Sequence, residues 1–151
     1  MPPVSAQQGA RLVTYLNNRL ATTIGNGECW TAADSAIREI GAARPGSDLY
    51  VWGSVVQHAD LQPGDILQFS QFTVTVTQDD GSWAQQSFGA PRHTAIVESI
   101  NSDGSVNILH QNYGGVRSVA GLTNVFLNSG SSGSATVTTS GSVTRYRPQV
   151  P

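Results

Sequence analysis

The sequence predicts an α+β fold, with N-terminal helices packed on one side of an antiparallel β-sheet. Two observations carry that prediction. Apolar residues recur at helical spacing in the first forty residues, and alternating strands joined by Asn/Asp/Gly turns fill the remainder. The 151 residues show no repeat and no composition break, so residues 1–151 read as a single domain.

Ser5-Ala6-Gln7-Gln8 has the form of a capping box and starts a first helix, expected over about Ala6 to Ala21 with Val13, Leu16 and Leu20 on its apolar face. A glycine-rich loop, Gly25-Asn26-Gly27-Glu28, leads into a second helix. Trp30, Ala33, Ile37 and Ile40 form its stripe, and Gly41 stops it. Residues 41 to 64 read as irregular. Leu61-Gln62-Pro63-Gly64-Asp65 is a turn that delivers the strand Ile66 to Phe69. Phe72 to Thr77 alternates as a half-buried strand, turns at Gln78 to Ser82, and pairs back through Trp83 to Phe88 until Gly89-Ala90-Pro91 breaks it. His93 to Ile100 is the strongest strand, and a turn at Asn101 to Gly104 pairs it with Ser105 to Asn112. A short strand at Val116 to Ala120, a helical turn at Leu122 to Leu127 and a flexible Ser129–Ser134 loop are expected next. Two β segments, Ala135 to Thr139 and Ser142 to Arg147, close the chain.

Composition narrows the function classes. All eight basic residues are arginine and the net charge is −2, which argues against a generic nucleic-acid or anionic-membrane surface. No apolar run reaches membrane-spanning length. One cysteine permits no internal disulfide. Met1-Pro2-Pro3-Val4 lacks the basic-then-apolar pattern of a leader, while the abundance of Ser, Thr, Gly, Asn and Gln leads us to expect an extracellular or cell-surface protein. A monomer is the expected state.

Chemistry converges on the one cysteine. Cys29 sits at the start of the second helix, where unpaired N–H groups and the positive end of the macrodipole favour a thiolate nucleophile. A thiolate needs a proton partner that works near neutral pH, and histidine fits. His93 opens the strongest strand beside a loop, whereas His58 reads as a solvated loop residue. Alternation puts His110 and Asn112 on one face of the paired strand, so either can orient His93. Three histidines without metal-ligand spacing make a weak zinc site, and Asp79 and Asp80 at a turn tip make a poor carboxylate pair. No metal and no cofactor is expected.

Four motifs occur in order: Gly27-Glu28-Cys29-Trp30 at a helix start, Leu61 to Phe69, His93 to Glu98, and Asp103 to Asn112. Together they resemble the CHAP family of cysteine, histidine-dependent amidohydrolases and peptidases, related to NlpC-type peptidases and papain. The resemblance spans about residues 5 to 148. It implies a papain-like fold, cleavage of amide bonds usually in bacterial peptidoglycan, Cys29 as nucleophile and His93 as general base. His110 stands where that family commonly has an acidic residue, with Asn112 matching its following Asn, and a histidine there is similar to the NlpC-type arrangement. Glu28 stands where a Gln often precedes the cysteine, which leaves the backbone N–H of Cys29, with Asn26, to hold an oxyanion. The substrate groove is expected to be walled by Trp30, the 44–58 segment and the 72–88 hairpin, with Trp52 and Trp83 offering flat aromatic faces. A silent binding module on the same fold, or a papain-like protease acting on proteins, are the alternative readings.

Overall fold

The computed structural model describes residues 1–151. Two helices, α1 (Ala6–Asn17) and α2 (Cys29–Glu39), precede seven strands: β1 (Ser54–Val55), β2 (Ile66–Thr77), β3 (Trp83–Ile100), β4 (Val106–His110), β5 (Ala120–Val125), β6 (Gly130–Ser132) and β7 (Ala135–Arg147). All join one antiparallel sheet in the order β1-β7-β2-β3-β4-β5, with β6 paired to β7. The α+β fold is as the sequence predicts. No helix is long and apolar enough to cross a membrane.

The Ser5 capping box forms as expected: Ser5 Oγ accepts from Gln8 N–H and Gln8 Oε1 accepts from Ser5 N–H. α1 is shorter than expected, and its buried face is Gly9, Leu12 and Leu16 rather than Val13 and Leu20. Past Asn17 the chain leaves the helix to pair with Val119, through Ala21 N–H to Val119 O and Val119 N–H to Thr22 O, which leaves Leu20 exposed.

Hydrophobic side chains divide by strand alternation. Ile66, Ile96 and Leu109 face the helices and pack with Leu12, Leu16, Ala32, Ala33, Ala36, Ile37 and Trp52. Leu67, Phe69, Ala95, Val97, Val106 and Ile108 face away, into a second cluster with Phe72, Val74, Phe88, Leu127 and Val137. Every candidate side chain on β3 and β4 is assigned to one face or the other by this division.

Four local expectations fail, each because strand pairing overrides local propensity. β3 runs unbroken through Gly89, Ala90 and Pro91. It can do so because β2 and β7 are irregular at the same level. The β2 ladder shifts register between Ser70 and Phe72, with Gln71 at φ 48°, and Gly141 of β7 lies at φ 78° with no room for a Cβ against the Gln71 carbonyl. The 122–127 stretch is largely strand β5 rather than a helical turn, since Leu122 and Val125 pair with Ile108 and Val106 of β4. β5 begins at Ala120, where the short strand expected over 116–120 ends. The Gly/Ser stretch contributes β6, paired to β7 through Gly130, Ser131 and Ser132.

Candidate active site

The loop before α2 is built by its own side chains. Asn26 Oδ1 accepts from Glu28 N–H (3.1 Å) and from Thr31 Oγ1 (2.6 Å), folding the chain into the helix start. Gly27, at φ 84°, passes so close to the Arg117 side chain that a Cβ would meet it at 3.0 Å. Glu28 is the N-cap but caps nothing with its carboxylate, which leaves the first-turn N–H groups of α2 without a side-chain partner. Cys29 is the first helical residue, half-buried, and its thiol is free. The expected position at a helix N-terminus is met.

Three polar residues moor this loop to the end of the sheet. Gln111, fully buried, accepts from Ile24 N–H (2.7 Å) and donates to Ile24 O (3.0 Å) and Glu28 O (2.9 Å). Asn112 Nδ2 donates to Glu28 Oε2 (3.1 Å). Arg117 donates to Glu28 Oε1 (2.8 Å) and Asn26 O (2.7 Å). Glu28 is therefore fixed on both carboxylate oxygens.

His93 and His110 do meet. The ladder sets Ala95 opposite His110, which makes His93 its diagonal neighbour on the same face. His93 Nε2 lies 2.9 Å from His110 Nδ1, with the rings edge-to-face at 5.0 Å. Phe69, Phe88 and Tyr113 surround His93, and Tyr113 stacks on His110 at 4.7 Å. The two residues are 5% and 3% exposed. Burial pushes the imidazolium of His93 down to about 4, and burial together with the charge of His93 pushes His110 to about 3. Both rings are neutral at pH 7. One nitrogen of the short contact donates and the other accepts. His93 Nδ1 makes no hydrogen bond yet is not sealed from solvent, and His93 lines a cleft of about 330 Å³ together with Arg92, Asn112 and Tyr113.

Several expectations need correction. No hydrogen bond joins the Cys29 sulfur to either imidazole. Alternation aims His93 and His110 towards the Phe69/Phe88 cluster, while α2 packs on the opposite face. The thiol and the imidazoles share one end of the sheet, connected through Glu28, Gln111 and Asn112. Asn112 bonds Glu28 rather than His93, so His110 alone hydrogen-bonds the imidazole. Trp52 is fully buried, its Nε1 donating to Gln68 Oε1, and presents no face to a substrate. Trp83 is exposed but stands ten residues before His93 on the same strand, about 30 Å away at the usual rise per residue, so it walls no groove at the site. Trp30 is half-buried, its Nε1 donating to Leu49 O and its ring tilted against Trp52. His58 is no solvated loop residue: Arg145 Nε donates to its Nδ1, so its Nε2–H donates to Gly104 O.

Sequence reasoning missed Gln111, Arg117 and Tyr113. Alternation placed Gln111 on the face opposite His110, and the helix side of the sheet is where a moor for the cysteine loop must come from. Arg117 and Tyr113 lie in a loop with no periodic signal.

A family model described as the AIM3/BBC1 cysteine proteinase-fold domain matches residues 3–137. The chain belongs to this family. A cysteine proteinase fold is what the papain-like expectation requires, whereas the finer resemblance to CHAP rests on the four motifs alone. No curated protein matches the chain. Among solved structures, the crystal structure of Ly7917 with the hydrolyzing product of MDP is similar at a TM-score of 0.49 and 18% identity, over 89% of this chain. The chain spans 62% of the length of that one.

Proposed function

We propose that this domain is a cysteine amidohydrolase acting on peptide amides, with Cys29 as nucleophile, His93 as general base and His110 as the group that orients it. The observation that carries the reading is the buried His93–His110 contact, which leaves His93 Nδ1 unbonded beside a cleft that His93 lines, next to the loop that carries the thiol. In the productive tautomer His93 Nε2–H donates to His110 Nδ1, which leaves the Nδ1 lone pair of His93 to take a proton. The Cys29 thiol gives that proton up, and Sγ attacks the amide carbon. The oxyanion is held by the uncapped N–H of Cys29. His93 then returns the proton to the leaving amine, and a water deprotonated by His93 hydrolyses the thioester. Sγ must approach Nδ1 for the first step, and such contacts often tighten only with substrate bound.

Cell-wall peptide is the substrate class that the motif resemblance favours, at an extracellular or surface location. Purified bacterial walls and casein, each digested by wild type and by Cys29→Ala, test this. New amines from walls with wild type alone support it. Amines from casein alone make the domain a protease, and reducing sugar ends without amines would overturn amide hydrolysis.

The missing thiol–imidazole hydrogen bond favours a second reading, a module that keeps the fold and binds without turnover. That reading predicts no product from either substrate and an unreactive thiol.

A further inference from the structure

One cation at the cleft is unaccounted for by the machinery above. Arg92 immediately precedes His93 and lines the same cleft of about 330 Å³. Its guanidinium lies over the Tyr50 ring at 4.4 Å, and it makes no ion pair and no hydrogen bond to protein. Glu28, before the cysteine, holds Arg117 and Asn112, and Asp48, two residues before Tyr50, accepts from Tyr50 N–H; neither pairs with Arg92. Tyr50 is itself placed by the cysteine helix, because Trp30 Nε1 donates to the carbonyl of the adjacent Leu49. The guanidinium thus stands between a segment anchored one residue after Cys29 and a strand one residue before His93.

We propose that Arg92 forms an anionic subsite that selects substrates with a carboxylate close to the scissile amide. This deepens the amide-hydrolase reading and rests on it for the word substrate. The Tyr50 ring beneath the guanidinium restrains it, and none of its N–H donors is taken by protein. A planar fork of donors with no protein acceptor matches a carboxylate in two-point contact. The charge of the whole chain is slightly negative, so the preference comes from this one group and not from a diffuse basic surface.

The test separates binding from turnover. Peptide pairs identical except for glutamate against glutamine at one position, and a pair with a free against an amidated C-terminus, are titrated into Cys29→Ala by calorimetry. The same pairs are titrated into Cys29→Ala/Arg92→Gln and Cys29→Ala/Arg92→Lys. We expect at least one carboxylate peptide to bind about 10-fold to 100-fold more tightly than its amide partner. That ratio should collapse towards one with Arg92→Gln and fall part-way with Arg92→Lys, because lysine keeps the charge but not the fork. A ratio that persists in Arg92→Gln, or the absence of any carboxylate preference with intact Arg92, overturns the subsite. If the preference follows Arg92 while wild type cleaves no peptide, the subsite stands and the hydrolase reading fails.

Discussion

At the scale of residues, the His93–His110 pair makes predictions that His58 and Asn112 do not. His110 touches the base, whereas Asn112 touches Glu28. His110→Ala should therefore lower kcat by about 10-fold or more with little change in KM, since it acts through His93, and Asn112→Ala should cost less. Steady-state kinetics on any cleaved peptide reads the difference, and a larger kcat loss in Asn112→Ala would exchange the assignment. The pair also couples folding to pH. Both imidazoles are held below their ordinary value, to about 4 and about 3, so the unfolded chain binds their protons more tightly than the folded one. Stability is whole above pH ~6.5 and falls as the pH drops towards 4, by roughly 3 kcal/mol for His93. Urea midpoints at pH 7.5 and 4.5 should show the drop, and His93→Ala/His110→Ala should shrink it. Asp65, pushed up by burial, works in the opposite direction and cannot produce the same trend.

At the scale of elements, the loop before α2 is held by Gln111 more than by any other side chain. Gln111→Ala strands the Ile24 N–H and takes one of two donors from each of the Ile24 and Glu28 carbonyls, and should cost about 1–3 kcal/mol with a fall in melting temperature. A variant as stable as wild type would show that this moor is dispensable. The extended β2–β3 arm gives the contrary prediction: Trp83→Ala should change neither turnover nor melting temperature, because the ring is 67% exposed and distant from the site. Both helices, the Cys29 position and the His93–Ile100 and Val106–His110 strands were readable in the sequence, since capping, periodicity and turn residues are local signals. The β3 run through Pro91 and strands β5 and β6 were not, because pairing partners far along the chain create them. Trp52 misled for the same reason. Its burial depends on Gln68 and both helices, none of which its own neighbours announce.

At the scale of the whole molecule, two clusters on opposite faces of one sheet decide where chemistry can occur. The helix face carries the thiol and the other face carries the imidazoles, so they can meet only where β4 finishes beside His93 of β3 and α2 starts. Far from that end, the 61–65 turn is locked by a buried carboxylate: Asp65 takes both Nε and Nη2 of Arg147 at 3.0 Å. Arg147→Met leaves that carboxylate unpaired at 1% exposure and should destabilise by about 3 kcal/mol in thermal denaturation, with the cleft chemistry intact. The proposed hydrolysis depends on whether His93 governs the Cys29 thiol. The rate of Cys29 alkylation by iodoacetamide between pH 5 and 8, in wild type and in folded His93→Gln, measures that directly. We predict labelling at least ~10-fold faster in wild type near pH 6, where an unassisted thiol is almost wholly protonated. Equal rates in the two proteins across that range would contradict the account and leave the fold without its proposed chemistry.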